Sequence, residues 1–483
     1  MSVELEPVIG LEIHVQLATA TKMFCGCELG FGEPPNTRTC PVCIGLPGAL
    51  PVVNARAIHF GLMIGLALGC ELAPRSIFHR KNYFYPDLPK GYQISQYDEP
   101  LCRGGSLAGV RIHRVHLEED AAKLIHIGSS GRIHGSQLSV VDFNRGGTPL
   151  VEIVTEPDLH SPAQAREWLE LLRATLRALG VSDVNMDEGS LRADANVSLR
   201  PRGSTALGTK TELKNMNSFR FLERGVAAEI ERQRAIIEAG AKVVQETLHF
   251  DPGSGAITSL RSKEEAQDYR YFPEPDLVPI ATTDAMLEAA RAAMPELPAA
   301  RAERLERDLG LGAERAHQLA FRVELGDFYE RALACGGADP VALANWVGGE
   351  LVARTADGDP AASLVTPAAL SALVAMVSGH SLSGTAAREV LDVLVAQGGD
   401  PETVAAERGL GALDDDTGLA AIVARVIAED PAAAEKVRAG NPKAIGALVG
   451  PIMRETRGRA DGAEVTRLIR DALGLEAIEG QAP

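Results

Sequence analysis

Five short segments of the chain place carboxylates and imidazoles at alternate positions, with apolar residues between them. In the first, Val8–Leu17, one face carries Glu12 and His14, and the other carries isoleucine, leucine and valine. Alternate side chains of a β-strand share a face, so the pattern predicts strands with one packed face and one polar face. The other four segments are Arg114–Asp120, Leu150–Glu156, Arg192–Arg200 and Lys210–Lys214.

The polar faces of these segments are rich in acids. They carry Glu118, Glu119 and Asp120 in one segment, Glu152 in another and Asp194 in a third. Carboxylates gathered on one sheet face raise each other's pKa unless a cation neutralises them. Oxygen ligands on an open face suit Mg²⁺ bound together with substrate phosphates. The segments therefore predict an antiparallel sheet with a divalent-metal and phosphate site; the alternative is a solvated polar face.

Four cysteines form two close pairs, Cys25-Gly-Cys27 and Cys40-Pro-Val-Cys43, separated by twelve residues. Two pairs flanking a loop are typical of a structural zinc site, in which four thiolates complete a tetrahedron. The Cys-x-Cys half is tighter than the usual two-residue spacing, and four buried thiols are the alternative. We predict Zn²⁺ bound by Cys25, Cys27, Cys40 and Cys43.

The densest aromatic stretch is Arg80–Asp98, in which four tyrosines and a phenylalanine interleave with Arg80, Lys81 and Lys90. Base stacking combined with phosphate pairing uses these residue types. A Pro- and Tyr-rich loop packed on the sheet is the structural alternative, and residue types alone leave both open.

The elements that must position these residues belong to a chain of two kinds of composition. Seventeen of the 21 aromatic residues lie in 1–290, and the chain beyond is rich in alanine and leucine. In that second part Asp339, Thr366 and Asp400 each precede a proline, as an N-cap precedes Pro at the first helical position. Gly379 and Gly398 stand where helix ends are expected. We predict an α+β domain followed by helices, with a further boundary in the Gly/Asp stretch 409–416.

Length and charge limit the class of protein. The 483 residues carry a net charge of −17, which excludes an indiscriminate nucleic-acid binder. Between Lys436 and Arg470, however, eight basic residues face three acidic ones. This basic cluster is either a solvated helix face or the contact for one specific RNA. The sequence has no P-loop and no serine-rich amidase signature.

The amino-terminal segment has no signal-peptide pattern, and the most apolar stretch, 57–69, is shorter than the ~20 residues of a membrane span. We therefore expect a cytoplasmic protein with no membrane partner.

Seven segments together resemble the B subunits of tRNA-dependent amidotransferases, the GatB family. They are Val8–Val15, Cys40–Cys43, Arg80–Asp98, His116–Asp120, Asp142–Glu152, Glu156–Asp158 and Lys210–Ser218. The resemblance spans the whole chain, and the helical tail is similar to the YqeY-like domain that ends this family.

The resemblance implies a fold and a reaction. The fold is a glutamine-synthetase-like cradle with an antiparallel sheet over 1–290, a helical domain over 291–407 and a YqeY-like, tRNA-contacting tail over 408–483. The reaction uses ATP to phosphorylate the side-chain carboxylate of misacylated Glu-tRNA(Gln), Asp-tRNA(Asn) or both. Ammonia from a partner amidase, GatA, then displaces the phosphate, and a small third protein, GatC, bridges the other two in a heterotrimer.

The resemblance also implies roles for single residues. Mg²⁺ is assigned to Glu12, His14, Glu119 and Glu152. Face parity favours Glu118 over Glu119, whereas a bulge at Glu119 would re-aim that side chain, so both remain candidates. Contacts with ATP or the tRNA end are assigned to six further residues, namely Lys81, Tyr83, Asn144, Arg145, Lys210 and Lys214.

Two other functions compete with this interpretation. One is a non-catalytic, zinc-containing tRNA-binding scaffold whose acidic face is only solvated. The other is a free-standing ligase that acts on a small molecule and requires no tRNA. ATP turnover and its dependence on tRNA separate the three.

Overall fold

The structure is a computed structural model that describes residues 4–128, 136–262, 269–411, 416–439, 444–456, 460 and 462–475. The chain divides into two compact units, Met1–Leu297 and Pro298–Pro483.

The first unit contains seventeen strands and four helices among its described residues. The strands are β1 (Leu5–Gln16), β2 (Glu71–Leu72), β3 (Arg75–Ser76), β4 (His79–Asn82), β5 (Tyr92–Ser95), β6 (Cys102–Arg103), β7 (Ser106–Leu107), β8 (Val110–Glu119), β9 (Lys123–Ile127), β10 (Leu138–Asp142), β11 (Pro149–Thr155), β12 (Leu191–Pro201), β13 (Thr211–Met216), β14 (Glu246–Phe250), β15 (Ile257–Ser262), β16 (Phe272–Pro273) and β17 (Ile280–Ala281). The helices are α1 (Ala55–Ala67), α2 (Pro162–Ala178), α3 (Phe219–Glu238) and α4 (Asp284–Ala292).

The five segments predicted as strands form neighbouring strands of one large sheet. The sheet order is β15-β14-β13-β12-β1-β11-β8-β6-β2, with β7 paired to β8. Four of its described pairs, β13–β12, β12–β1, β1–β11 and β11–β8, are antiparallel. The prediction of a wholly antiparallel sheet is wrong at one place, because β14 runs parallel to β13. The helix α3 joins these two strands and supplies the long crossover that parallel pairing requires.

Helices cover one face of this sheet and leave the polar face uncovered by that core. Ile9, Leu11 and Ile13 of β1 are at most 1% exposed and share one hydrophobic cluster with side chains of α1, α2 and α3. Because side chains alternate along a strand, burying this face fixes the register and turns Glu12 and His14 to the other side.

The second unit is helical in its described residues. Its α-helices are α5 (Pro298–Leu309), α6 (Ala313–Phe321), α7 (Val323–Ala334), α8 (Pro340–Asn345), α9 (Pro367–Ser378), α10 (Gly384–Gln397), α11 (Pro401–Glu407), α12 (Asp416–Glu429), α13 (Pro431–Arg438), α14 (Ile445–Glu455) and α15 (Gly462–Ala472). A π-helical turn, Trp346–Leu351, follows α8, and short 3₁₀ turns follow it at Val352–Arg354, Ala356–Gly358 and Pro360–Ala362. The predicted helix starts are confirmed, because Asp339, Thr366 and Asp400 each accept a backbone hydrogen bond as N-caps.

The helical unit holds two separate hydrophobic clusters. One draws on residues between Leu305 and Leu410 and the other on residues between Leu419 and Leu473. Of the predicted basic cluster, Lys443, Arg457 and Arg459 lie outside the described residues. Within the described part, Arg467 forms ion pairs with Glu464 and Asp471. No helix in the described ranges has both the length and the apolar composition to cross a membrane.

Candidate functional site

The strand register brings five ionisable side chains together on the polar face of the large sheet. His14 of β1 lies opposite Glu152 of β11, and Glu152 lies opposite His116 of β8. Glu12 and Glu118 are two residues from His14 and His116 on the same faces of their strands. We refer to Glu12, His14, His116, Glu118 and Glu152 as the carboxylate–histidine cluster.

Glu152 is the centre of the carboxylate–histidine cluster. Its Oε2 lies 3.4 Å from His14 Nε2 and 3.3 Å from His116 Nε2. Glu118 lies 3.9 Å from His14 and 3.8 Å from His116, measured between oxygen and Nε2. His116, Glu118 and Glu152 are at most 5% exposed. The charges of this cluster must therefore be balanced within it or by a bound ion.

Burial and close charges shift the pKa values of the cluster in different directions. Burial alone would raise the pKa of Glu152, but His116 and His14 lower it well below its usual value. Burial would lower the pKa of His14, yet a hydrogen bond to Glu152 and the neighbouring carboxylates raise it to about 9. The pKa of Glu12 is raised, mainly by burial and then by Glu152. Glu12 is thus the carboxylate least well neutralised by the protein alone.

The cluster offers donor atoms for a cation in two overlapping groups. Glu12, His14 and Glu152 form one group and His116, Glu118 and Glu152 the other, with the donor atoms of each within 4.8 Å of one another. Ligands at about 2.1 Å from an octahedral ion lie roughly 3 Å apart along its edges, so both groups fit a small divalent cation.

Glu119 does not join the carboxylate–histidine cluster. The β8–β11 register runs without a shift from Val115 to Glu119, so the expectation that a bulge re-aims Glu119 is wrong. Its carboxylate instead accepts from Lys90 and, at 2.9 Å, from the backbone N–H of Ile94. Glu118 keeps the parity of His116 and accepts a 3.0 Å hydrogen bond from Ser95. The structure therefore places Glu118, and not Glu119, beside Glu152.

A cationic flank continues the polar face over β12 and β13. Lys214 Nζ donates to Asp194 at 2.9 Å and lies 3.3 Å from Glu212. Burial would lower the pKa of Lys214, but Asp194, Glu212 and Glu12 raise it. Arg192, opposite His14, donates to Asp120 at 3.0 Å. Lys210 is exposed at the loop that leads into β13.

Lys81 and Tyr83 lie on the other side of the cluster, at β4. Burial would lower the pKa of Lys81, but Tyr271, Glu118 and Glu152 raise it, which places its charge beside the cluster. Its Nζ is 4.8 Å from the centre of the Tyr269 ring. The Tyr83 ring lies 6.4 Å from that of Tyr269.

Asn144 and Arg145 hold chain segments together in the structure. The Asn144 side chain accepts from the backbone N–H of Arg38 at 2.8 Å and donates to the Pro34 carbonyl at 2.8 Å. Arg145 donates to the carbonyls of Ala121 and Ala122 at 2.9 and 2.8 Å. These bonds fix the cysteine loop and the β8–β9 connection; the structure does not bring either side chain into the carboxylate–histidine cluster.

The four predicted zinc ligands are brought together. The Sγ atoms of Cys25, Cys27, Cys40 and Cys43 lie within 4.8 Å of one another. A tetrahedral Zn²⁺ with bonds of about 2.3 Å holds its sulfurs roughly 3.8 Å apart, so the four thiols fit this metal. A hydrogen bond from the Cys25 thiol lowers the pKa of Cys43 to about 4 against the effect of burial.

A buried lysine joins this cysteine cluster to the rest of the unit. Lys22 is fully buried, with Nζ 3.7 Å from Cys43 Sγ and donating to the Phe143 carbonyl at 3.0 Å. The loop after Cys43 packs on Lys90, because a Cβ at Gly45 would lie 2.5 Å from the Lys90 side chain.

Sequence reasoning did not assign His116, Lys90 or Arg192 to the site. His116 and Arg192 stand on the predicted polar faces, so their parity was a usable signal. Lys90 lies in the aromatic stretch and reaches Glu119 through tertiary structure, for which the sequence offers no signal.

The unit that carries the carboxylate–histidine cluster matches a known family. The model of the GatB/GatE catalytic domain matches residues 7–288, which is more than half of the chain. The chain belongs to the GatB/GatE family. A second model, the GatB domain with a Yqey part, matches residues 327–473 in the helical unit.

Relatives of this GatB/GatE family member are similar over nearly their whole length. Proteins named as the B subunit of aspartyl/glutamyl-tRNA(Asn/Gln) amidotransferase are 49% identical in Anaeromyxobacter sp. (strain K) and 50% identical in both Frankia casuarinae and Thermobifida fusca. The alignments cover 98, 97 and 97% of this chain and 99, 96 and 94% of the relatives. The resemblance found in the sequence motifs is confirmed, and the chain is a member of a carbon–nitrogen ligase family.

Proposed function

We propose that this chain phosphorylates the side-chain carboxylate of an amino acid esterified to the wrong tRNA, at the expense of ATP. The substrates are Glu-tRNA(Gln), Asp-tRNA(Asn) or both, and amidation gives Gln-tRNA(Gln) or Asn-tRNA(Asn). The observation that carries the proposal is the buried carboxylate–histidine cluster on the open face of the sheet, within the part matched by the family's catalytic domain.

The cluster suits the activation of a carboxylate. A carboxylate is a poor electrophile, and phosphorylation gives it a leaving group. The two reactants are both anions, so their approach requires positive charge at the point of reaction. Bound Mg²⁺ would neutralise the phosphate oxygens and the substrate carboxylate. The residues that hold it are Glu12, His14, Glu118 and Glu152, with His116 against Glu152 and Glu118.

The chain's own cations serve the anions on either side of the cluster. Lys214 and Arg192 on β12 and β13 are the residues we propose to position the phosphates of ATP, with Lys210 at the entrance. Lys81 stands at the opposite side, where it neutralises the substrate as it approaches Glu118. Asn144 and Arg145 are proposed to act indirectly, by fixing the loops beside β8 and β11. Zn²⁺ held by the four cysteines is proposed to be structural.

The proposal includes partners and a domain plan. The relatives are named as one of several subunits, which supports a heterotrimer in which the amidase GatA supplies ammonia and the small protein GatC bridges the two larger chains. The sequence supports this division, because it has no amidase signature of its own. We propose a glutamine-synthetase-like cradle over 1–290, a helical domain over 291–407 and a tRNA-contacting tail over 408–483.

The test is amide formation by the complex reconstituted with GatA, GatC, ATP and misacylated tRNA. Glu12→Gln and Glu152→Gln are expected to lose more than about 100-fold in ATP-dependent amidation, while glutamine hydrolysis by the partner persists. Glu6→Gln is the matched control, because Glu6 shares the strand and the face of Glu12 but pairs with Arg200. Full amidation by both cluster variants would instead support a non-catalytic tRNA-binding scaffold. Amidation of free glutamate without tRNA would support a small-molecule ligase.

A further inference from the structure

A continuous row of tyrosine rings lies beside the carboxylate–histidine cluster. Tyr97 and Tyr271 stack in parallel, with centroids 4.3 Å apart and an angle of 8°. The Tyr271 ring contacts Tyr269 edge-on at 6.1 Å, and Tyr269 lies 6.4 Å from Tyr83. We call Tyr83, Tyr97, Tyr269 and Tyr271 the aromatic platform.

The aromatic platform is held at the end of β8 by β5. Ser95, the last residue of β5, donates to Glu118 at 3.0 Å, and Tyr97 follows two residues later. The platform also surrounds the one cation on this side that faces the cluster among the described contacts, since Lys81 lies over the Tyr269 ring. The platform therefore begins next to a member of the cluster.

The rings of the platform are not consumed by the hydrophobic core. Tyr97 is 42% exposed, and the neighbouring Phe84 is 85% exposed. Tyrosines that only fill a core are buried, whereas exposed, stacked tyrosines offer ring faces to a planar ligand. Aromatic side chains next to a cation are the standard surface for an unpaired nucleobase.

We infer that the aromatic platform binds the terminal adenosine of the misacylated tRNA by stacking on Tyr97. The inference rests on the proposed function, in which the reacting carboxylate belongs to an amino acid esterified to that adenosine. An adenosine on the platform and a carboxylate in the cluster are joined by one short aminoacyl group, which matches the direct contact of the two sites through Ser95 and Glu118.

The adenine of ATP is the competing occupant, and the position of the cations argues against it. Lys81 is the platform's cation, whereas Arg192 and Lys214 lie beyond β1 on β12 and β13. Neighbouring strands are about 4.8 Å apart, so β13 is roughly 19 Å from β8 across four spacings. The triphosphate therefore has its cations on the flank opposite the tyrosines, and the cluster lies between the two ligands.

The test is a double-mutant cycle on tRNA binding to the complex with GatA and GatC. The dissociation constant is measured by fluorescence anisotropy for tRNA with and without its terminal adenosine, using the wild type, Tyr97→Ala and Tyr97→Phe. Loss of the adenosine is expected to weaken binding to the wild type and to Tyr97→Phe about 10-fold, the equivalent of about 1.4 kcal/mol. For Tyr97→Ala the two tRNAs are expected to bind equally. Phe31→Ala, another exposed aromatic of the same unit, is the control and is expected to keep the 10-fold difference.

Two results would overturn the inference. One is a Tyr97→Ala variant that still discriminates about 10-fold between the two tRNAs. The other is an unchanged tRNA cycle with a raised KM for ATP, which would assign the platform to the adenine of ATP. The binding measurement requires no turnover, so a failure of the proposed reaction would appear separately, as absent ATP-dependent amidation in the wild type.

Discussion

Replacing the buried Lys22 by methionine is expected to weaken zinc binding at the four cysteines. A zinc ion with four thiolates carries a net charge of about −2, and Lys22 brings a positive charge 3.7 Å from one of the sulfurs. A hydrogen bond to a charged group contributes about 1.5–3 kcal/mol. At tenfold per 1.4 kcal/mol, this predicts a loss of roughly 10- to 100-fold in zinc affinity, the range usual for residues that contact metal ligands.

The assay for Lys22→Met is competition for Zn²⁺ with a chromophoric chelator at fixed pH. Lys242→Met, at an exposed position of the same unit, is the matched control and should keep the wild-type affinity. Methionine has nearly the length of lysine and preserves packing, so a change in affinity reports the charge. If Lys22→Met bound zinc as tightly as the control, the idea that Lys22 balances a zinc tetrathiolate would be refuted.

Three further outcomes follow from the geometry. Glu118→Gln is expected to weaken Mn²⁺ binding to the full chain at least 10-fold, and Glu119→Gln to leave it within 2-fold, as titration calorimetry would detect; the reverse order would contradict the register. Burial would raise the pKa of Asp120, but two arginines lower it below its usual 3.8, so its contribution to stability is complete above that pH and declines as pH falls through the folded-state value. The free energy of unfolding lost in Asp120→Asn, measured by urea titration, should therefore shrink below about pH 4, whereas a constant loss from pH 7 to 3 would disagree. Gly45→Ala should cost more than ~1 kcal/mol, because its φ is +72° and its Cβ would meet a lysine side chain, while Gly48→Ala (φ +85°, open space) should cost less in the same unfolding assay.

The strands of the site were predictable because one face of each is buried. A packed face requires apolar residues at alternate positions, and this requirement leaves a period of two in the sequence. The helix starts at Asp339, Thr366 and Asp400 were predictable for a similar reason, since a cap is a contact between residues two or three apart.

The neighbour relations were not predictable from periodicity. That β8 lies beside β11, and thus that His116 meets Glu152, depends on pairing between segments about 35 residues apart. The choice between Glu118 and Glu119 likewise depended on whether the pairing register shifts, which a single sequence does not record. The parallel β14 was missed because the direction of a strand is set by the connection before it.

The aromatic stretch shows a third kind of limit. Its tyrosines were visible, but their stacking partners Tyr269 and Tyr271 come from more than 170 residues further along the chain. Local composition therefore indicated an aromatic surface without showing that it adjoins the carboxylate–histidine cluster.

The most direct test of the proposed reaction follows oxygen from substrate to phosphate. Misacylated tRNA is prepared with ¹⁸O in the side-chain carboxylate and converted by the reconstituted complex with ATP and glutamine. Phosphorylation of the carboxylate predicts one ¹⁸O in the inorganic phosphate for each amide formed, seen by mass spectrometry. Amide formation with unlabelled phosphate, or with the label in AMP, would contradict the proposed phosphorylation.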